Sequence, residues 1–302
     1  MILTPERRAE LMRPDSCYVI CWVPDHPDDM GLTECQAGFF SLFIRVLYGI
    51  RLALHYNVPY YVDYGSVGYS YSDPGRFEGD TNFWNYYFIQ SLHRPPQNGL
   101  VNYPYETFPL RIWSRSFRDE LHHIVRNHIR LQPDVRARIE KKKAWFADKK
   151  ILGVHIRRTD HLGEVEPVEL SVYKRMIQRD LPKYEHVFVA TDDQATLEAI
   201  IDEFGSVVVY NDVKRSVDGA PIHRLHPTED RYELGLDALL DCYCLSFCQK
   251  IIIGHSNLSY AALLFNPTLT YTLLETPKHR NLRIKTLLSY HWDQRSTSLP
   301  KL

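Results

Sequence analysis

The sequence predicts an α/β protein whose C-terminal half is a doubly wound, Rossmann-like parallel sheet. Two observations carry this fold class. Short runs rich in Val and Ile recur from residue 151 onward and are apolar throughout rather than alternating. Each is followed by a stretch of helical period, and a strand–loop–helix–strand order is already present near the N-terminus. Strands buried on both faces read as continuous apolar runs, and the interposed helices supply the cover that a parallel sheet needs.

Taken in order, Cys17 to Val23 (CYVICWV) is a β-rich run bounded by Pro14 and Pro24, which predicts a first strand. A loop rich in Pro, Asp and Gly follows. From Phe39 to Tyr56 apolar residues recur at helical spacing, interrupted by Arg45, Arg51 and His55, and predict a helix. Pro59 opens a second strand, PYYVDY, completing a βαβ unit whose crossover is right-handed by rule. Between Gly65 and Tyr105 no clean period exists; a loop this long is functional or conceals elements that periodicity misses. Within it, the aromatic run Asn82 to Phe88 is expected to fill core, with stacking on an acceptor sugar as the alternative. Phe117 to His128 and Pro133 to Phe146 predict two helices, the second opening with Pro in its first turn, and Glu140 to Lys143 a solvated face. The charge-dense segment ending at Lys150 marks the expected domain boundary, separating 1–147 from 148–302.

In the second half, Ile151 to Ile156, His186 to Ala190, Ser206 to Tyr210, Lys250 to Gly254 and Leu269 to Leu273 predict strands. Leu170 to Asp180, Asp193 to Phe204, Asp230 to Gln249 and Leu258 to Phe265 predict the helices between them.

Composition narrows the function. Hydrophobic residues at 44% and charged residues at 24% are ordinary globular values and exclude a disordered or fibrous chain. Lys plus Arg number 36 against 37 Asp plus Glu, so the basic excess of a dedicated nucleic-acid binder is missing. The 20 Tyr and 5 Trp suit sugar binding, because each offers an apolar face with a polar edge. No run approaches the ~18 to 20 apolar residues of a membrane helix, and charges fall where a signal peptide would carry its apolar core. The expectation is a soluble, cytoplasmic protein. Cys242, Cys244 and Cys248 lie in an apolar helical run with no second Cys/His cluster, which favours buried thiols over a metal site.

The familiar phosphate and metal signatures are missing from the sequence: no GxxxxGK[ST], no GxGxxG, no HExxH, and no two Asp residues at D-x-D spacing. A phosphate ligand must be met by other means. His155-Ile156-Arg157-Arg158-Thr159-Asp160 follows a predicted strand directly, so its side chains emerge where open α/β sheets bind their ligands. Arg157 and Arg158 offer permanently charged, planar forks that match phosphate oxygens. A surface pair bridged to Asp160 and nearby glutamates is the plainer reading. Gly254 to Ser259 (GHSNLS) joins a strand to a helix, and the backbone N–H groups there, with the Ser256 and Ser259 hydroxyls, make an anion site. A hydrolase elbow is excluded, since position 258 is Leu rather than Gly and no Asp-then-His order follows Ser256.

These strings together resemble the fucosyltransferase superfamily that includes the α1,6-fucosyltransferases and the rhizobial NodZ-type enzymes. Val154 to Asp160 is similar to its first motif, Val189 to Asp193 (VATDD) to its strand-end TDD, and further matches follow at Leu240-Asp241 and Ile253 to Ser259. They span residues 151–265, about the whole C-terminal half. The resemblance implies a GT-B architecture: two Rossmann-like domains facing a cleft, the acceptor on the side of 1–147 and GDP-fucose on the side of 148–302. It implies metal-independent transfer with inversion, no cofactor, and a glycan or other hydroxyl acceptor. Arg157 becomes the first-motif arginine on the donor β-phosphate, with Arg158 a helper. His155, Asp160, Thr191, Asp192, Asp193, Asp241, His255, Ser256, Asn257 and Ser259 join it on the donor side. One of Asp192 and Asp193 is expected to cap the following helix and the other to meet the base or ribose. Asp241, beside an apolar run, needs a partner.

An inverting transferase also needs a carboxylate to take the acceptor proton. Glu164, then Glu166, are the candidates, in a loop just past the arginines. His161 stands where the α1,6-fucosyltransferases carry Lys. Asn211 to Asp230 is a long polar connection, a flap or a solvated loop. The alternatives are the same fold with another nucleotide-sugar donor, and a non-catalytic sugar-nucleotide-binding protein, which would need the arginine but not the base.

Overall fold

The computed structural model of the 302-residue chain describes residues 9, 12–13, 16–21, 34–35, 37–65, 68–92, 99–101, 114–159, 167–219 and 230–296. In the first half these form β1 (Cys17–Ile20), β2 (Glu34–Cys35), α1 (Phe39–His55), β3 (Tyr60–Val62), β4 (Gly68–Tyr69), α2 (Trp84–Tyr87), β5 (Phe88–Ile89) and β6 (Gly99–Val101). Helix α3 (Arg115–His128), β7 (Arg130–Leu131) and α4 (Pro133–Phe146) lead into the second half. There follow β8 (Ile151–Ile156), α5 (Leu170–Asp180), β9 (His186–Thr191), α6 (Gln194–Phe204), β10 (Val208–Val209), α7 (Arg231–Phe247), β11 (Lys250–Ile253), α8 (Asn257–Phe265), β12 (Thr270–Leu273) and α9 (Pro277–Ser296).

The second half is a five-stranded parallel sheet in the order β10-β9-β8-β11-β12. Every residue of β8 is buried, and alternation divides them between two cores. Leu152, Val154 and Ile156 join Val187, Val189, Tyr173 and Leu197 under α5 and α6. Ile151 joins Phe188, Ala190, Ile251 and Ile253 on the face covered by α7 and α8. Gly153 lies on that second face because α7 comes close: a Cβ there would stand 2.8 Å from Ile251 Cγ2 and 2.9 Å from Cys248 Sγ. Cys242, Cys244 and Cys248 are buried in the same core, as expected of structural thiols.

The first half holds a parallel three-stranded sheet, β3-β1-β6. The aromatic run resolves toward core filling: Phe83, Trp84, Tyr86, Tyr87 and Phe88 are each at most 3% exposed. Asn82 organises them, its amide donating to Val62 O at 2.7 Å while its oxygen accepts from Tyr64 N–H. This core does not stop at residue 147. Phe40 and Phe43 of α1 meet Phe265 of α8 at 6.3 and 5.5 Å between ring centroids. Tyr87 stacks on Tyr232 at 5.2 Å and donates its hydroxyl to Tyr232 O. Phe146 of α4 packs on Phe188 and Phe247. Two sheets therefore share one hydrophobic cluster.

Three local outcomes differ from the sequence reading. The strand expected from Ser206 shortens to Val208–Val209, because Gly205 at φ 65° opens a 3₁₀ turn. The GHSNLS helix starts one residue earlier, at Asn257. Helix α9 was not legible in hydrophobic periodicity, since charges interleave its apolar residues; Pro277 at its start was the available signal. Among the described residues no helix is long and apolar enough to cross a membrane.

Filling the Gly153 contact should be costly. Gly153→Ala is expected to destabilise the chain by about 1–3 kcal/mol through overpacking, read as a lower midpoint in thermal or urea denaturation followed by circular dichroism.

Candidate functional site

The strand order reverses between β8 and β11: the chain moves outward through β9 and β10, then returns to lay down β11 and β12 on the other side. Ligands of open α/β sheets bind outside the C-terminal strand ends at such a point. Register puts the three relevant ends side by side, with Ile156 opposite Thr191 and His155 opposite Ile253. Arg157, Asp192 and the turn at Gly254 thus share one edge.

Asp192 organises that edge. Its Oδ1 accepts the Arg158 N–H at 2.9 Å. Its Oδ2 accepts the Thr159 N–H at 3.3 Å and the Thr159 hydroxyl at 2.6 Å. The same oxygen lies 3.2 Å from Arg157 Nε, the two side chains being 26% and 11% exposed. Asp193 does what the capping expectation assigned to one of the pair: its carboxylate accepts the Thr196 N–H and hydroxyl at the start of α6. Thr191 is buried, and its hydroxyl accepts the Asp193 N–H at 3.4 Å.

The segment after β10 is stitched to this edge. Ser216 N–H donates to Asp192 O at 2.8 Å, and Gln194 N–H donates to Ser216 O at 2.9 Å. Arg215, 9% exposed, holds Asn211 O and Val213 O through its terminal nitrogens. Asn211 supplies the partner that Asp241 needed, donating its amide to Asp241 Oδ1 at 2.7 Å. Burial pushes the Asp241 carboxyl up to about 7, against the opposing pull of the Asn211 amide and the Arg215 charge. Asp237, one turn earlier on α7, is pushed up to about 6, again chiefly by burial. Sequence reasoning missed Asn211 and Arg215 as members of this cluster, although Asn211 directly follows a predicted strand. Thr159 was quoted within its motif without a role, and the Asp192 contacts supply one.

On the β11 side, His155 is 4% exposed and shares a 2.6 Å hydrogen bond with the hydroxyl of Ser259, itself fully buried. Ser259 therefore meets His155 below the edge rather than offering its hydroxyl to an anion at the helix start. Ser256 is the N-cap residue of α8 and makes no side-chain cap bond; Asn257 opens the helix. His255 is turned into the protein, with Nδ1 2.7 Å from the Tyr260 hydroxyl and Nε2 3.3 Å from Glu275. Burial lowers its pKa first of all. Glu275 is gripped in turn by Arg283 of α9 through two hydrogen bonds of 3.0 and 2.7 Å. Gly254 lets the Tyr173 hydroxyl approach this turn, since a Cβ would stand 2.7 Å from it. Asp160, Glu164 and Glu166, with His161, lie outside the described residues, as does 220–229 of the polar connection.

Chemically, the edge combines two arginines, an anchoring carboxylate and the N-terminus of a nine-residue helix. A guanidinium held by a carboxylate beside the backbone N–H groups of a helix start is an arrangement that can hold an anion. No group of His, Cys, Asp and Glu that could hold a metal ion occurs among the described residues.

No family model matches the chain, and no curated protein does. Solved structures do. FUT1 of Arabidopsis thaliana, in complex with GDP, has a TM-score of 0.50 at 11% identity, over 90% of this chain and 74% of that one. The fucosyltransferase NodZ from Bradyrhizobium gives 0.49 at 17% identity, over 88% and 98%. POFUT1 in complex with GDP-fucose gives 0.37 at 11%, over 90% and 77%. At these identities the likeness is one of fold: the chain has the α/β, GT-B-like architecture of fucosyltransferases.

The Asp241 pair sets a pH dependence. A carboxyl whose folded pKa lies near 7, above its ordinary value of 3.8, holds its proton more tightly folded than unfolded. Its cost to folding therefore grows as pH rises from about 4 to about 7, stands at its full value above 7, and is relieved as pH falls back toward 4. Asp241→Asn removes this titration and keeps an acceptor for Asn211. The variant should be the more stable of the two at pH 8, by at most about 4 kcal/mol, with the gap narrowing below pH 7 and closing near pH 4. Denaturation midpoints of both proteins across that range measure it.

Proposed function

We propose that this chain is a glycosyltransferase that moves fucose from GDP-fucose to a hydroxyl of a glycan or similar acceptor, by inversion and without a metal. The observation that supports it most is Arg157, held by Asp192 at the C-terminal end of the central strand, at the point where strand order reverses. The HIRRTD string and the VATDD string that build this pair are also those that resemble the fucosyltransferase motifs. Among the solved structures named above, the FUT1 variant with a TM-score of 0.50 is bound to GDP.

In this reading the donor lies along the strand ends of 148–302, and the acceptor approaches from the side of 1–147. Transfer breaks the bond between the fucose anomeric carbon and the β-phosphate oxygen, and the electron pair leaves on GDP. Arg157 meets that developing charge with a fixed guanidinium, which lowers the barrier without a metal ion. The acceptor oxygen bonds the anomeric carbon from the opposite face, and its proton passes to a carboxylate, Glu164 first and Glu166 second. Arg158 assists the diphosphate. In this reading Asp241 and the Asn211 amide serve the base and the N-terminus of α8 serves the phosphates, while Asp160 stays on the donor side by resemblance alone.

Four measurements test the reading. Isothermal titration should give binding of GDP in preference to UDP, CMP and dTDP. Arg157→Ala and Arg157→Lys should both weaken GDP binding and lower transfer further, since lysine keeps the charge but not the fork; normal transfer by Arg157→Ala would refute the role. Glu164→Gln should leave GDP affinity within about twofold while lowering kcat at least tenfold, the pattern of a group acting only in the transition state. Activity should persist in EDTA, and loss restored by Mg²⁺ or Mn²⁺ would overturn the metal-free step.

A further inference from the structure

We propose that Asp192 is a positioning residue: it sets the Arg157 guanidinium for a diphosphate and makes no contact with the nucleotide itself. The inference rests on the reading of Arg157 as the group that holds the donor diphosphate. It replaces the expectation that whichever of Asp192 and Asp193 did not cap a helix would meet the base or ribose.

The geometry carries it in three steps. A carboxylate has about four lone-pair directions, and three hydrogen bonds from the chain already fill most of them: the Arg158 N–H on Oδ1, and the Thr159 N–H and hydroxyl on Oδ2, beside which Arg157 Nε lies at 3.2 Å. A ribose hydroxyl would find Oδ2 taken and a single direction left on Oδ1. Next, the backbone of residue 192 is itself fixed, because the Asp192 carbonyl accepts Ser216 N–H and the next residue caps α6. Finally, a negative charge 3.2 Å from an anion-binding guanidinium weakens that guanidinium's attraction for phosphate. Such a placement is favourable only when the orientation gained outweighs the attraction lost. Orientation is what the contacts supply: one carboxylate fixes the backbone of residues 158 and 159 and the first nitrogen of the Arg157 side chain at once. The arginine then meets a diphosphate with less freedom left to lose.

A double-mutant cycle on ligand affinity tests it. Isothermal titration with GDP and with guanosine is run on the parent, Asp192→Asn, Arg157→Ala and the double variant, with circular dichroism melts as the folding control. Asp192→Asn should weaken GDP binding about tenfold and change guanosine binding less than about twofold, as expected when a charge-assisted contact to the diphosphate is misaligned. In the Arg157→Ala background, Asp192→Asn should have no further effect on GDP. Thr159→Val removes one support while leaving both charges and should weaken GDP about threefold, again only when Arg157 is present. If Asp192→Asn fails to fold, the Thr159→Val cycle carries the same test. Additive losses, an equal loss of guanosine, or tighter GDP binding by Asp192→Asn would each overturn the proposal. Inorganic pyrophosphate and UDP separate it from the donor assignment. If the parent binds them but not GDP, with the same non-additivity, the guanine reading fails and the positioning role stands. If the parent binds no diphosphate, both fall.

Discussion

Complete burial of β8 is the constraint from which the rest of the molecule follows. Six successive residues lie inside, so helices must cover both faces of the sheet. Burying β8 forces the polar residues of the chain to wait until the strand has ended. HIRRTD is the first place where charge can reappear, and it reappears on the edge where strand order reverses. Ile156 points toward α5 and α6, and Arg157, the first residue past β8, pairs with Asp192, the first residue past β9. Packing thus decides where the charge stands before any ligand is considered.

The cover on the α7–α8 face comes partly from the first half of the chain. Rings from α1 and the aromatic run meet Phe265 and Tyr232, and ion pairs follow at the rim, where Arg76 reaches Asp230 and Glu233. The rim pairs are exposed and add little beside the buried rings. A boundary between 147 and 148 therefore separates two sheets more cleanly than two cores. Any relative movement of the sheets would have to slide aromatic faces that are now in contact.

Much of this was legible in the sequence, for an identifiable reason. Where burial is total, as in ILGVHI, apolar runs carry the signal unmixed, and β8, α5 and α4 have the bounds that periodicity and the leading Pro133 predict. Arg157 was legible because a polar string directly after such a run has one place to go. The pairing of Asn211 with Asp241 was not, since the two are thirty residues apart and only the packing of α7 against the end of β10 brings them together. The role of Asp192 was half legible: TDD announced a capping carboxylate, while the claim of Thr159 on its neighbour depends on the register of β8 with β9. Asp160, Glu164 and Glu166 remain sequence expectations, lying outside the described residues.

The grip of Arg283 on Glu275, and through it on His255, gives the edge a history during synthesis. All five strands and the helix α8 precede Arg283 in chain order, so a ribosome-bound chain can assemble the sheet and most of the shared core before α9 exists. The turn at Gly254–Ser256 is then the last part of the edge to acquire its support. Before residue 283 is made, that turn has the contacts of His255 with Tyr260 but not the grip of Arg283 on Glu275. In that sense the final helix acts as a late-arriving keystone for a turn whose own residues were made long before it.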